Sequence, residues 1–389
     1  MRHASHLYLW GLLGAEQGAP RRMAKEATAS AGDVLRGLEK PMDKHGAVTR
    51  LPDKDLVRNC TVYCAPFRTF LRPLQGRLCL LSMASAHSPT TDSPSGMALW
   101  EAERAALEAE FGERITLDAL TGPNGLAAGA PLRDDSGEAA GWLIAQRKSG
   151  HRHSADDVLT AWYALQVSPV VEEHLDLGTG IGTVGLLTLW GMGKRARLTC
   201  VEAQEVSYRL LQSNLEANRI RERVECSRGD LRELALGKWF PLVTGSPPYF
   251  PPGTGVLPQD SQKAHARFEL RGDVSDYAKA AALHLGRGGW FVFCFPAPQR
   301  ERALAGVFAA GLRVVCLREV IPRESLPPLF TLFACRHHAD FEGEIVEEAP
   351  LTVRLESGRL SAEMAGVRRG FGFCDGAAHG GYGGTEGRP

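Results

Sequence analysis

The 389-residue sequence carries no excess charge of either sign, with 45 basic side chains matched by 45 acidic ones. This excludes a global pull toward nucleic acid, so contact with a polyanion has to come from a local patch. No apolar run approaches the ~20 residues that span a bilayer, so no transmembrane helix is expected. There is no Cys-x-x-Cys pair. Cys60 and Cys64 have a metal-like spacing but no partner pair nearby, and no metal site emerges elsewhere. Nine dispersed cysteines read as reduced intracellular thiols and exclude a disulfide framework. No internal repeat is visible, which excludes a solenoid.

What is present is an apolar content of 44%, enough for a globular core. The length suits one large domain with extensions, or two domains. Residues 1–96 show little periodicity and read as a disordered or targeting extension. Arg2, Arg21, Arg22 and Lys25 against Glu16 and Glu26 leave a mitochondrial or plastid transit peptide open beside a cytoplasmic location. MASAHSPTTDSPSG from Met83 also reads as a later translation start. Residues 97–140 form a helix and linker: good helix formers over 98–113, then a Gly- and Asp-rich loop over 120–138. The main domain is expected over 141–372, followed by a Gly-rich tail over 373–389.

From about Gly141 the pattern alternates. A helix over 153–166, capped by Ser154, precedes seven strand candidates: 172–178, 197–203, 223–230, 241–245, 290–296, 312–321 and 329–337. Helices fit between most of them, at about 182–190, 206–219, 275–286 and 299–310. Such alternation predicts an α/β Rossmann-like fold, a seven-stranded mostly parallel sheet with helices on both faces. In such sheets ligands bind beyond the C-terminal strand ends, where strand order reverses.

The first strand ends in LDLGTGIG, residues 175–182. Gly178, Gly180 and Gly182 allow close backbone approach to a ligand. Asp176, just before them, would repel a pyrophosphate and suits a cationic, amino-bearing ligand, which favours S-adenosylmethionine over a dinucleotide. Glu202, at the end of the second strand, is placed to accept from both ribose hydroxyls, or is an exposed acid at a helix start. Asp230, at the end of the third, either accepts from the adenine amino group or caps the helix that follows. Together the three acids point to a class I methyltransferase.

The fourth strand runs into Ser246-Pro247-Pro248-Tyr249-Phe250. Neither proline has an N–H, so the backbone cannot fold onto itself and the Pro247 carbonyl is free to accept from a substrate amine. The Ser246 hydroxyl is a second acceptor, and Tyr249 or Phe250 offers a flat face for a base. Phosphate contacts are expected from Arg147, Lys148, Arg152, Lys263, His265, Arg267 and Arg271, unless these lie on a solvated surface; Arg267 also has Glu269 and Asp273 as internal partners.

This set resembles the class I methyltransferases with an Asn/Asp/Ser-Pro-Pro-Tyr/Phe motif, which methylate planar exocyclic nitrogens. More narrowly it resembles the bacterial family that N6-methylates an adenine beside the anticodon of a valine tRNA. The matching segments are GHRHSADDVLTAWYAL (150–165), LDLGTGIGTVGL (175–186), SPPYF (246–250), the run 264–296 and APLTVRLESGRLSAEMAGVRRGFG (349–372). The resemblance covers 140–372 and implies S-adenosylmethionine, an RNA substrate (tRNA) and methyl transfer at Ser246, Pro247, Pro248 and Tyr249. Four departures stand out. Ser246 replaces the family's asparagine, as in DNA cytosine-N4 enzymes. His151 and His153 replace aromatics, Phe268 replaces a histidine, and Phe371-Gly372 replaces a terminal Phe-Tyr. Other readings are a protein glutamine-amide or DNA/rRNA base methyltransferase, or an inactive cofactor-binding module that binds RNA or a partner.

Overall fold

The computed structural model describes residues 96–123, 132–133, 139–169 and 171–373. The expectations for 1–95 (extension, targeting, start at Met83, Cys60 and Cys64) and for the tail beyond 373 lie outside the described residues. Among the described residues no helix is long and apolar enough to cross a membrane.

The elements are α1 (Gly96–Phe111), β1 (Ile115–Ala119), β2 (Leu143–Arg147), α2 (Ala155–Val167), β3 (Glu173–Leu177), α3 (Thr183–Met192), β4 (Arg197–Glu202), α4 (Glu205–Ala217), β5 (Val224–Arg228), β6 (Phe240–Gly245), α5 (Ser261–Arg267), α6 (Val274–His284), β7 (Leu285–Pro296), α7 (Arg300–Ala309), β8 (Leu312–Ile321), β9 (Phe330–His337), β10 (Val346–Thr352) and α8 (Ala362–Gly370). The central sheet has the order β10-β8-β9-β7-β6-β3-β4-β5. All neighbours are parallel except at β9, which runs antiparallel to both β7 and β8. The chain leaves β3 for β4 and β5 on one side and returns through β6 on the other, so β3 and β6 flank the switch point.

The Rossmann-like α/β fold with a mostly parallel sheet is borne out, with eight strands instead of the expected seven. The eighth, β10, pairs with the outer edge of β8, with a register shift between Arg318 and Val320. Its sequence VEEAPLT, mostly exposed, has the charge and proline of an edge strand. No period-2 apolar signal marked it. The inner strands are the opposite: β7 and β9 are buried on both faces and read as apolar runs. Phe291, Phe293 and Phe333 stack on one face beneath α6 and α7, while α2, α3 and α4 cover the other.

Residues before α2 do more than lead in. Trp100 and Leu107 of α1 lie fully buried in the core cluster that contains α3 and α4. β1 and β2 form an antiparallel pair with no sequence signal strong enough to announce it. Buried Asn214 of α4 and its C-cap Asn218 satisfy the open edge of β2: Asn218 Oδ1 accepts from Leu143 N (3.0 Å) and Asn214 Oδ1 from Ala145 N (2.8 Å). Asn214 Nδ2 also donates to the Ile181 carbonyl (2.9 Å), tying the glycine loop to the same helix. Buried backbone groups need such partners.

Candidate active site

The glycine loop turns sharply. Gly178, Gly180 and Gly182 have φ of 58°, 60° and 101°, all in the left-handed region. A Cβ on Gly178 would lie 2.0 Å from the Tyr277 hydroxyl oxygen of α6, whereas one on Gly180 would meet nothing within 4 Å. Gly180 therefore faces open space and Gly178 packed protein. Gly182 N-caps α3.

Asp176 is buried, and both its oxygens are engaged: Oδ2 accepts from Thr179 Oγ1 (2.5 Å) and Oδ1 from Thr244 Oγ1 (2.6 Å). Because Thr244 donates to Asp176, its oxygen accepts from His174 Nε2 (2.8 Å), which fixes the imidazole tautomer. The buried His174 is pushed down to about 3, and burial raises Asp176. Asp176 thus clamps β3, β6 and the glycine loop.

Glu202 is buried at the end of β4. Oε2 accepts from Gly180 N (2.7 Å) and Oε1 from Gln204 N (2.6 Å). Burial raises its pKa, against those two amides and Arg271. It is an internal partner of the loop, not the exposed acid of the alternative reading. Asp230 caps the 3₁₀ turn Leu231–Glu233 and holds Arg232 through both oxygens, at 2.9 and 2.6 Å. That bidentate pairing lowers its pKa. The capping alternative describes Asp230 as it stands.

Ser246, Pro247, Pro248 and Tyr249 follow β6 at the switch point. Among the described residues nothing donates to the Pro247 carbonyl. Tyr249 is not a loose flat face. Its hydroxyl donates to Asp156 Oδ2 (2.6 Å) and lies 3.2 Å from Cys294 Sγ, and its ring meets Phe295 edge-on at 5.9 Å. Phe250 packs on Phe268 with ring centroids 5.5 Å apart. The Arg267 carbonyl accepts from both Tyr249 N and Phe250 N (3.1 and 3.0 Å).

Sequence reasoning missed Asp156, Asp157 and Cys294. The two acids occupy the first turn of α2, where they read only as partners of the helix dipole. In the fold that turn abuts the proline loop. Asp157 accepts from Ser154 N (3.2 Å), and is raised by desolvation and by Asp156. Burial pushes the Cys294 thiol up to about 12.

The expected phosphate ligands separate into two groups. Arg152 is held by Thr116 Oγ1 and Asp118 Oδ2 (2.7 and 2.8 Å). Arg147 pairs with Glu113 and with Asp260 (2.9 Å), and Arg271 donates to the Ala203 carbonyl (2.6 Å). Lys148, Lys263 and Arg267 have no acidic partner among the described residues. Glu269 and Asp273 are instead taken by Arg302, at 2.5 and 3.5 Å. Arg267 lies over the Phe250 ring (5.5 Å). Lys263 and Arg267 both face His151, which desolvation and these cations lower while Asp156 raises it. Helix α5 is fixed by buried Gln262, which accepts from His151 N (3.3 Å) and donates to Ser207 Oγ (3.2 Å). His265 lines an open groove of about 430 Å³ with Gln204, Val206, Ser261, Arg271 and Phe111. Among the described residues no cluster of three or more His, Cys, Asp or Glu is arranged to hold a metal.

No family model matches the chain. It is similar to a tRNA1(Val) adenine(37)-N6-methyltransferase of Pasteurella multocida, 26% identical over 55% of this chain and 86% of the relative. It is similar to that of Tolumonas auensis, 28% identical over 51% of this chain and 80% of the relative. A solved structure of a predicted O-methyltransferase from Agrobacterium tumefaciens covers 55% of this chain and 96% of its own, at 18% identity and a TM-score of 0.42. The resemblance read from the motifs thus extends to similarity over about half the chain.

Proposed function

We propose that this protein is an S-adenosylmethionine-dependent methyltransferase acting on the exocyclic N6 amine of an adenine in RNA, with tRNA as the substrate. The observation that carries this reading is the free Pro247 carbonyl beside Ser246, at the switch point next to an open glycine loop. The relatives, named for adenine-N6 methylation of tRNA, support it.

The residues fit the cofactor. Gly180 opens onto unfilled space, and Glu202 is fixed beside it by the Gly180 amide. Gly178, Gly180 and Gly182 would let the backbone approach, Glu202 would accept from the ribose and the Asp176 charge would favour a cation. Bound S-adenosylmethionine supplies an electrophilic methyl group on a sulfonium.

The chain's own contribution is position. An adenine amine is delocalised into its ring and is a poor nucleophile. The Pro247 carbonyl and Ser246 Oγ accept its two N–H groups out of the ring plane, which frees the lone pair. Asp156 holds the Tyr249 hydroxyl, and with it the proline loop. Lys263 and Arg267, free of carboxylates, would hold the phosphates flanking the target base.

Incubating the full chain with methyl-labelled S-adenosylmethionine and total RNA, then digesting to nucleosides, tests this. The expected product is N6-methyladenosine confined to tRNA, lowered about 100-fold by Ser246→Ala or Tyr249→Ala. Unchanged turnover in both variants sinks the residue assignment. Label on protein and none on RNA sinks the substrate.

A further inference from the structure

The end of the sheet that carries the proline loop also carries an apolar tip in solvent. Val256 is the most exposed large apolar side chain among the described residues, at 94%, and its neighbour Leu257 is 51% exposed. Single exposed apolar residues are ordinary, but an adjacent pair beside a site calls for a reason. Trp239, Leu283 and Phe308 are exposed too. They stand before β6 and near the ends of α6 and α7, at the opposite end of the sheet.

The pair lies on the loop PPGTGVLPQD, residues 251–260, which leaves directly from SPPYF and returns into α5. The base of this loop is pinned on both sides. The Arg267 carbonyl accepts from Tyr249 N and Phe250 N (3.1 and 3.0 Å), and Glu269 N donates to the Phe250 carbonyl (2.9 Å). The Phe250 and Phe268 rings pack at 5.5 Å. At the returning end Asp260 accepts from Lys263 N (2.9 Å) and pairs with Arg147 (2.9 Å). One internal turn, from Thr254 N and Oγ1 to the Pro251 carbonyl (3.2 and 2.6 Å), aims the chain outward. Beyond it no hydrogen bond among the described residues reaches 255–259. A firm base and an unburied apolar tip make a projection, not a collapsed loop.

An adenine that presents its amine to the Pro247 carbonyl and Ser246 Oγ has to leave the stack of its neighbours, and the lost contacts cost free energy unless something replaces them. We propose that residues 252–258 form an apolar finger for RNA: Val256 and Leu257 pack against the bases flanking the target adenine and take the place in the stack that it leaves. The chemistry of the segment suits base faces. No charged side chain occurs between Phe250 and Asp260, so the finger neither attracts nor repels phosphate. The charge stands behind it, on the helix the finger enters: Lys263 and Arg267 have no acidic partner among the described residues. An apolar tip backed by cations matches a nucleic-acid strand, with its bases toward the tip and its phosphates toward α5. This rests on the reading of the chain as an RNA adenine methyltransferase.

The test uses the full chain with Val256→Ser and Leu257→Ser combined, unmodified tRNA transcripts and labelled S-adenosylmethionine. Because both side chains are exposed, Tm is expected to stay at the wild-type value. Affinity for tRNA by filter binding and kcat/KM for methyl transfer are each expected to fall about tenfold. The salt slope of binding stays as it was, since no charge is removed. On a short single-stranded oligonucleotide of the methylated sequence, whose adenine has little stack to leave, the loss in kcat/KM shrinks to about twofold or less. A variant that binds and methylates tRNA as the wild type does overturns the proposal, as does an equal loss on tRNA and oligonucleotide. A wild type that labels no RNA, but whose tRNA affinity still falls in the variant, upholds the finger and sinks the methyl-transfer reading. No label on RNA together with unchanged tRNA affinity sinks both.

Discussion

The glycine-loop side of the site and the proline-loop side use charge in opposite ways. On the first, Asp176, Glu202 and Asp230 sit at successive strand ends, and each is already bonded to the protein. On the second, Arg147 and Arg152 are neutralised, while Lys263 and Arg267 have no carboxylate partner among the described residues. Asp176 and Glu202 tie the loop to the strand ends; Lys148, Lys263 and Arg267 are left without an acidic partner among the described residues. A charged residue near a site is therefore informative only after its partners have been counted.

The sharpest way to break this contrast is in the glycine loop, where tight packing and open space stand two residues apart. Gly178→Ala would drive a methyl into the Tyr277 hydroxyl and add about 1 kcal/mol of left-handed strain. A Tm loss of several degrees and abolished cofactor binding are expected by scanning fluorimetry and calorimetry. Gly180→Ala carries the strain without the clash. It should cost far less Tm yet weaken cofactor binding at least tenfold. Equal Tm losses would remove the distinction.

A smaller effect comes from the clamp beneath the loop. The unfolded chain binds a proton on His174 near its ordinary 6.5, the folded chain only near 3. Its contribution to stability is therefore full above 6.5 and is lost as pH falls toward 3. Between pH 6.5 and 5 this amounts to about 2 kcal/mol. Urea unfolding of His174→Gln should show a pH dependence flatter by that amount.

On the other side, Lys263→Ala and Arg267→Ala should each raise KM for tRNA several-fold and lower the salt slope by about one, with cofactor affinity unchanged. The smallest effect belongs to Arg152→Ala. It breaks the pair with Asp118 and should cost stability, yet leave the salt slope as it was. A drop in slope from Arg152 would mean that an ion-paired arginine still reads phosphate.

Much of this was legible beforehand. The other seven strands of the sheet follow the expected segments, most clearly the buried inner ones, which read as unbroken apolar runs. Boundaries moved by a few residues, most of all at β7, whose glycines at 286, 288 and 289 hid its first turn of ladder. The glycine loop and SPPY were found because tight turns and prolines leave local marks. The elements that left none are β10, which is charged and carries Pro350, and β1 and β2, which are short. The fate of each cation was also hidden, since Arg152 and Asp118 are 34 residues apart in sequence.

The sequence by itself determined the α/β architecture, the acids at the strand ends and the proline loop, because each depends on periodicity or backbone restriction within a few residues. Only the tertiary structure decided that Asp176 is a clamp, that Asp230 holds Arg232, that α2 sets the Asp156 carboxylate against the Tyr249 hydroxyl, and which cations have no acidic partner among the described residues. Those outcomes depend on distances between residues far apart in the chain, and in electrostatics and hydrogen bonding a few ångströms separate a partner from a bystander.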